Sequence, residues 1–223
     1  MPYFFGERSG DRVIIEGSDA RHLALALRAR SGETISVLQP PDALLSVRLE
    51  AVSAARVAGV VVAEAEHRPE PKQRVTIAAA MLPASGLELL LARCTELGAA
   101  GFVLVSAKRS VGRGTRPARW AAICREASML AGRFSVPEVR GPVPVGEALA
   151  GAENRYLLDR RGETRLADVS LGDATLFIGP EGGWTEAELD LARGRVLRLG
   201  RRTLRAETAA IAALAVALAA GGD

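Results

Sequence analysis

The chain of 223 residues contains 48% apolar and 25% charged residues, a balance that excludes an intrinsically disordered protein. Only 4% of the residues are aromatic, which argues against a nucleic-acid reader that stacks bases on aromatic rings. The formal net charge is +3. Residues 1–70 carry 8 Arg against 10 acidic residues, and the remainder carries 21 basic against 16 acidic residues. Contact with a phosphate-rich partner is therefore expected mainly in the second part.

The sequence shows no pattern for secretion, membrane insertion or metal binding. The amino terminus lacks a basic segment followed by an apolar run, so no signal peptide is expected. The longest apolar run, Ala209–Ala220, is too short to span a membrane. Cys94 and Cys124 are predicted to be buried free thiols, and His22 and His67 are too isolated to indicate a metal site. A cytoplasmic protein is expected.

The first part of the chain is predicted to form a small β-barrel. One helix interrupts it across Ser18–Arg30, where Ser18 or Asp19 caps the start and Leu23 and Leu27 share a face. The predicted strands are short runs rich in β-branched residues, at 12–16, 34–38, 45–52 and 59–65.

After a proline-containing linker at His67–Lys72, strands alternate with helices. Such alternation predicts a mostly parallel sheet with helices on both faces. Ligands of these sheets bind beyond the carboxyl ends of the strands, so the loops after Asp159, Ile178 and Leu199 are the expected site. The predicted strands are 74–80, 101–106, 155–159, 174–178 and 196–199, and the predicted helices are 87–97, 117–131, 186–193 and 206–220.

The segment Phe177–Leu189 is a strand end followed by a glycine-rich turn and a helix start. Its glycines permit close backbone approach, and Thr185 with Glu188 forms a predicted capping box. The alternative is a tight connection that binds nothing. Neither a phosphate-binding loop nor a dinucleotide fingerprint is present in the chain.

A second motif, Leu199–Ala210, leads from a strand end into the alanine-rich last helix. Arg205, Glu207 and Thr208 stand at the helix entrance, where Glu207 complements the helix dipole. The alternative is a surface ion pair between Arg205 and Glu207.

Together, in this order, the two motifs resemble the SPOUT superfamily of RNA methyltransferases. The likeness is closest to the ribosomal RNA small subunit methyltransferase E family, whose members methylate N3 of a uridine in small-subunit ribosomal RNA. Further matching stretches cover nearly the whole chain: Tyr3–Phe5, His22–Arg28, Ser31–Glu33, Thr95–Gly98 and Gly132–Glu138.

This resemblance implies an α/β protein of two domains. Residues 1–68 would form a PUA-like β-barrel that holds RNA, and residues 73–223 a SPOUT methyltransferase domain with a deep carboxy-terminal trefoil knot. It also implies a homodimer in which helices including Ala206–Ala220 pack across the two-fold axis. The apolar character of that helix on all sides favours such packing.

The resemblance further implies that the knot loops hold S-adenosylmethionine in a bent conformation, largely through backbone groups. Glycines suit this role because no Cβ blocks the approach to the backbone amides. The implied cofactor-binding residues are Leu158, Ile178, Gly179, Pro180, Glu181, Gly182, Gly183, Leu199, Gly200, Leu204 and Thr208.

Uridine N3 is a poor nucleophile until its imide proton leaves. We expect Arg205 to stabilise the negative charge that develops on the uracil carbonyls, and Glu207 or a water to accept the proton. Glu207 could equally anchor Arg205. The expected RNA-binding residues are Arg21, His22, Arg28, Arg93, Arg133, Arg201 and Arg202, and Arg193, Arg195 and Arg198 extend a basic strip beside the last two.

The sequence departs from the family in three places. Arg93 replaces a lysine, Met129–Leu130 replaces a polar pair near the expected RNA face, and Arg201 replaces a common proline. Two rival hypotheses therefore stay open: a knotted methyltransferase that acts on tRNA or on another base, and a non-catalytic RNA-binding module. The intact glycine motif argues against the second.

Overall fold

The computed structural model describes residues 3–192 and 194–222, and the chain divides into two compact units. The first unit comprises residues 1–70 with 128–135, and the second comprises residues 71–127 with 136–223. The segment 128–135 begins with the last four residues of the helix Pro117–Ala131, yet it clusters with the first unit, in whose core Met129 packs.

The first unit is built on a six-stranded, mostly antiparallel sheet in the order β1-β4-β5-β6-β3-β2. Buried and more exposed side chains alternate along residues 43–52, where Leu45, Val47 and Leu49 are buried and Arg48 and Glu50 are exposed, so one face forms the core. The four predicted strands are present. Their neighbours β1 and β2 are too short to give a periodic signal. The strands are β1 (Tyr3–Phe5), β2 (Glu7–Ser9), β3 (Arg12–Glu16), β4 (Thr34–Gln39), β5 (Ala43–Val52) and β6 (Arg56–Glu66).

The prediction of one regular helix over Ser18–Arg30 is wrong in both its length and its regularity. A short α1 (Gly17–Arg21) runs into a π-helical turn (His22–Ala26). The wider turn carries one extra residue and rotates the chain that follows. Leu23 is therefore buried whereas Leu27, expected on the same face, is 45% exposed.

Both ends of this helix also differ from the prediction. Glu16 occupies the N-cap position and makes no side-chain capping bond, so neither Ser18 nor Asp19 is the cap. Arg28 has φ of 52°, in the left-handed region, which stops the helix before its predicted end.

The second unit contains a seven-stranded sheet in the order β11-β13-β10-β12-β7-β8-β9, and every strand pair in it is parallel. This confirms the predicted α/β class. Strands β9 and β11 and helix α4 were not predicted. The elements are β7 (Val75–Ala80), α2 (Ala84–Glu96), β8 (Gly101–Ser106), α3 (Pro117–Ala131), β9 (Val139–Pro144), α4 (Val145–Ala150), β10 (Arg155–Leu158), β11 (Thr164–Arg165), β12 (Ala174–Ile178), α5 (Glu186–Leu191), β13 (Val196–Arg198) and α6 (Ala206–Ala220).

Helix α6 buries one face in the main core of the second unit. Ala210, Leu214 and Ala217 are buried at helical spacing, and the helix packs against α2 and β7. Its opposite face presents small apolar side chains, and Ala215 and Ala219 on it are exposed. The helix therefore has more apolar surface than its own unit buries.

Both cysteines are free and buried, as predicted. Burial raises the pKa of the Cys94 thiol to about 12. Within the described residues, no helix combines the length and the hydropathy that a membrane crossing requires.

Candidate functional site

Three neighbouring strands of the second unit end side by side and define a pocket. Strand β10 lies between β12 and β13, and Leu158 is in register with Ile178 on one side and Leu197 on the other. The loops that follow these strands enclose about 520 Å³. Ligand pockets have volumes of roughly 300–1,000 Å³, so this one suits a molecule of cofactor size.

The glycine-rich turn after β12 forms one wall of the pocket. Gly183 has φ of 71°, and its backbone N–H donates to the carbonyl oxygen of Pro180 at 2.8 Å. A Cβ on Gly179 would stand 2.9 Å from Nε1 of Trp184, so this position has no room for a side chain. The buried Trp184 Nε1–H donates in turn to the carbonyl oxygen of Leu158 at 3.2 Å. The indole thereby fixes the end of β10 against the turn.

The predicted capping box at the start of α5 is confirmed. The Thr185 side chain accepts from the Glu188 backbone N–H, and the Glu188 carboxylate accepts from the Thr185 backbone N–H at 2.8 Å. The same carboxylate accepts from the backbone N–H of Lys108 at 2.8 Å. Burial raises the pKa of Glu188, but the hydrogen bonds from Thr185 and Lys108 outweigh it and hold the pKa below its ordinary value.

Two arginines donate hydrogen bonds to backbone carbonyl oxygens at the glycine turn. Arg109 Nη1 donates to the carbonyl oxygen of Gly182 at 2.9 Å. Arg161 Nη2 donates to the carbonyl oxygen of Trp184 at 3.2 Å and pairs in bidentate fashion with Asp159. Burial raises the pKa of Asp159, but the hydrogen bonds from Arg161 outweigh it, so the pKa is lowered.

The loops after β10 and β13 are joined across the pocket rim. Arg160 Nη1 donates to Thr203 Oγ1 at 3.1 Å. Sequence patterns did not single out Arg109, Arg160 or Arg161, which line the pocket, and they marked Trp184 and Thr203, which also line it, only as members of the two motifs. The available signals were the position of Arg160 and Arg161 just after the end of β10 and the position of Trp184 next to Gly183.

Nine of the eleven predicted cofactor-binding residues line this pocket. The other two do not. Ile178 is buried at the end of β12, and Thr208 is exposed in the first turn of α6. The nine are Leu158, Gly179, Pro180, Glu181, Gly182, Gly183, Leu199, Gly200 and Leu204.

The two predicted catalytic residues lie at the entrance of α6, beside the pocket lining rather than within it. Arg205 is the exposed N-cap residue, and its neighbours Leu204 and Ala206 both line the pocket. No carboxylate of residues 3–192 or 194–222 forms an ion pair with Arg205, so the alternative of an Arg205–Glu207 pair is wrong. Glu207 is half-buried, and a methyl group added to Gly86 of α2 would stand 3.6 Å from its Oε2.

Five of the predicted RNA-binding residues are exposed and have no ion pair among the described residues. Arg202 also lines the pocket. Arg93 differs, since it pairs with Glu96 at 2.7 Å on the surface of α2. The five are Arg21, His22 and Arg28 in the first unit and Arg201 and Arg202 in the second.

The structure does not support Arg133 as an RNA contact. Its side chain is only 3% exposed and pairs with Glu70 at 2.7 Å, so a phosphate would have to displace a buried ion pair. Its Nη2 also donates to Ser135 Oγ at 3.0 Å. Met129, expected near an RNA face, is a buried core residue, whereas Leu130 is 58% exposed.

Two other arginines of the expected basic strip donate hydrogen bonds to backbone carbonyl oxygens. Arg198 donates to the carbonyl oxygen of Gly162 at 2.8 Å, and Arg195 reaches that of Glu153 at 3.4 Å. Arg193 lies outside the described residues. Among the described residues, no group of three or more His, Cys, Asp or Glu side chains is arranged to hold a metal ion.

The family model described as the RNA methyltransferase domain matches residues 68–218 of the chain, which contain the parallel sheet and the glycine-walled pocket. Ribosomal RNA small subunit methyltransferase E of Synechocystis sp. is 32% identical and aligns with 91% of this chain and 71% of its own. The Bacillus subtilis protein of the same name is 27% identical over 90% of this chain and 87% of its own. The chain belongs to the ribosomal RNA small subunit methyltransferase E family, as its motifs predicted.

A solved structure shares the fold over the same extent. The crystal structure of ribosomal RNA small subunit methyltransferase E from Neisseria gonorrhoeae, bound to S-adenosyl methionine, superposes with a TM-score of 0.87. Its sequence is 28% identical, and the match covers 96% of this chain and 95% of that one.

Proposed function

We propose that this protein transfers the methyl group of S-adenosylmethionine to N3 of a uridine in the 16S ribosomal RNA of the small ribosomal subunit. The observation that carries the proposal is the glycine-walled pocket at the joined ends of β10, β12 and β13, in a chain of this family. The relative from Neisseria gonorrhoeae binds S-adenosyl methionine, and the relatives are named for the small subunit RNA.

The residues that line the pocket suit the cofactor. Its lining exposes backbone at Gly179, Gly182 and Gly200, where amide and carbonyl groups can be reached without a Cβ in the way. A Cβ on Gly200 would meet no protein atom within 4 Å, so the fold leaves free space there. S-adenosylmethionine, when bound, supplies a methyl group carried on a sulfonium.

The roles proposed for the chain's residues follow from their charge and position. Arg205, with no carboxylate partner among the described residues, is available to stabilise negative charge on the uracil carbonyls as N3 loses its proton. Glu207, two residues on, is the candidate proton acceptor, with a water as the alternative. Preorganised pocket walls align the base with the methyl group, because Trp184, Arg109 and Arg161 fix the turn.

We further propose that residues 1–68 form a PUA-like domain that holds RNA and that residues 73–223 form a SPOUT domain with a trefoil knot. The antiparallel sheet of the first unit and its exposed Arg21, His22 and Arg28 support the first assignment. The insertion of β13 between β11 and β10 supports the second. Ribosomal RNA as substrate is consistent with action in the cytoplasm.

We also propose a homodimer that packs through α6. The support is the exposed apolar face of that helix, which includes Ala215 and Ala219. Small side chains on such a face allow close helix contact, and a lone surface helix would carry polar residues there.

Calorimetric titration with S-adenosylmethionine, followed by mass mapping of small-subunit ribosomal RNA after reaction, tests the proposed reaction. We expect binding at micromolar strength and one new methyl group on a uridine N3. A methyl group on tRNA or on a different atom would move the protein to another substrate class. The absence of cofactor binding would make it a non-catalytic RNA-binding module.

A further inference from the structure

The most basic part of the chain lies after β8 and was not predicted as a site. Residues 97–125 contain six basic side chains and no Asp or Glu, a net charge of +6. Since the whole chain carries +3, the other 194 residues sum to −3. The net positive charge of the protein therefore comes entirely from this segment. The six are Lys108, Arg109, Arg113, Arg116, Arg119 and Arg125.

The loop that carries most of these charges, residues 107–116, is fixed at the same sheet edge as the pocket. It begins where β8 ends, and Glu188 accepts a hydrogen bond from the Lys108 backbone at 2.8 Å. The backbone N–H of Gly112 donates to the carbonyl oxygen of Met81 at 3.1 Å. A methyl group added to Gly112 would overlap the backbone of Leu82, so the loop lies tightly on the end of β7.

Three of these cations are exposed and form no ion pair, although the charge of Arg116 helps Arg119 to lower the pKa of Glu88. Lys108, Arg113 and Arg116 form no ion pair of 4 Å or less with any carboxylate of the described chain. Arg119 differs, because it pairs with Glu88 at 2.8 Å. Arg109 turns toward the pocket, where it holds Gly182. An anion that binds at this loop would therefore meet cations that have no carboxylate partner to give up.

We propose that Lys108, Arg113 and Arg116 bind the phosphate backbone of the RNA strand that flanks the methylated base. This inference rests on the proposed function, since it assigns a contact of the same RNA. Free cations on a fixed loop bind phosphates without first breaking an ion pair or ordering the chain. Arg109 places this phosphate-binding loop directly beside the methyl-transfer pocket.

The test compares two variants that each lose three positive charges in the second unit. The first carries Lys108→Gln, Arg113→Gln and Arg116→Gln. The matched control carries Arg74→Gln, Arg140→Gln and Arg165→Gln, all at exposed positions away from the pocket lining. The Kd for protein-free 16S ribosomal RNA and for small subunits is measured by filter binding over a range of salt concentrations. Calorimetric titration with S-adenosylmethionine checks that the cofactor pocket of each variant is intact.

In the first variant we expect the slope of log K against log salt to fall by about 2, because each single-strand phosphate contact contributes about 0.7. If the electrostatic contribution is taken as zero at about 1 M salt, the same rule gives a Kd for RNA about 100-fold higher at about 0.1 M salt. Cofactor affinity stays at the wild-type value, and the control variant keeps both the slope and the Kd of the wild type.

Three outcomes would overturn the inference. The first variant could bind RNA like the control, or it could bind more weakly with an unchanged salt slope. It could also lose affinity for small subunits alone, which would assign the loop to a ribosomal protein. A wild-type protein that binds the RNA but transfers no methyl group contradicts the proposed function, and the binding data still decide the role of the loop.

Discussion

The carboxylate of Glu188 accepts a hydrogen bond from the backbone N–H of Lys108 at 2.8 Å, across 80 residues of sequence. The same carboxylate closes the capping box with Thr185 directly after the glycine turn. A capping residue ordinarily forms hydrogen bonds only with backbone groups at the terminus of its own helix. Here it also ties the loop after β8 to the wall of the pocket, so one side chain organises both the cofactor pocket and the basic loop beside it.

Replacement of Glu188 with Ala is expected to destabilise the protein and weaken cofactor binding. The change removes a helix cap and leaves the backbone N–H groups of Thr185 and Lys108 without their charged acceptor. We expect the free energy of unfolding to fall by about 2–4 kcal/mol. Urea denaturation measures the fall, and calorimetry measures the loss of affinity for S-adenosylmethionine.

The matched control for this variant is Asp190→Ala, which removes an exposed carboxylate from the same helix. We expect its unfolding free energy to stay within about 0.5 kcal/mol of the wild type. Equal stability of the two variants would show that the link from Glu188 to Lys108 contributes nothing.

A leucine at Gly200 is expected to block the pocket without unfolding the chain. Gly200 lines the pocket outside any helix or strand, and a Cβ there would meet no protein atom. We predict a Kd for S-adenosylmethionine about tenfold higher or more, equivalent to about 1.4 kcal/mol, with an unchanged melting temperature. Gly146→Leu, at an exposed position of α4 outside the pocket lining, is the control and should bind like the wild type. Wild-type affinity in Gly200→Leu would place the cofactor elsewhere.

Arg205→Ala is expected to remove methyl transfer and retain cofactor binding. The exposed guanidinium makes no ion pair among the described residues, so its loss should not disturb the fold. We predict a fall in kcat of about 10²–10³-fold, the usual effect of removing one stabiliser of developing negative charge. Single-turnover transfer to ribosomal RNA measures it, and Arg205→Lys should recover part of the rate. Unchanged turnover in Arg205→Ala would rule out the assigned role.

Glu207→Gln separates the two candidates for the proton acceptor. If Glu207 accepts the uridine proton, its amide replacement should lower kcat and remove the acidic limb of the pH–rate profile. A water acceptor predicts a profile of unchanged shape. S-adenosylmethionine affinity, measured in parallel, reports whether the pocket is intact.

The stability of the first unit is expected to decrease in acid through Glu70. Burial raises the pKa of this carboxyl, but the hydrogen bonds and charge of Arg133 outweigh it and hold the pKa below the ordinary value of 4.5. The ion pair thus stabilises the folded state fully above about pH 4.5, and this contribution is lost as the pH falls through the lower folded-state pKa. Between pH 5 and 3, the unfolding free energy of Glu70→Gln should fall less than that of the wild type. The reason is that the variant lacks one group whose protonation is coupled to unfolding. Glu33→Gln, at an exposed position of the same unit, should retain the wild-type fall.

Local patterns in the sequence were enough to predict many helices and strands of the second unit. Strands 101–106 and 174–178 and helices 117–131 and 206–220 lie at their predicted bounds. The capping box at Thr185 was equally predictable, because its partners are three residues apart. By contrast, β9 contains Gly141 and Pro142 and resembles a loop in isolation, and it becomes a strand only by pairing with β8 at the sheet edge.

The sequence by itself determined the α/β class, the family, and the loops that line the pocket, because periodicity, glycine placement and capping act between residues close in the chain. Only the tertiary structure decided which charges are free. It buried Arg133 against Glu70, turned Arg109 toward Gly182 and left Lys108, Arg113 and Arg116 exposed and without ion pairs among the described residues. The reason is physical: whether a cation is paired depends on carboxylates and carbonyls brought to it from distant parts of the chain, and these distances are set by the fold.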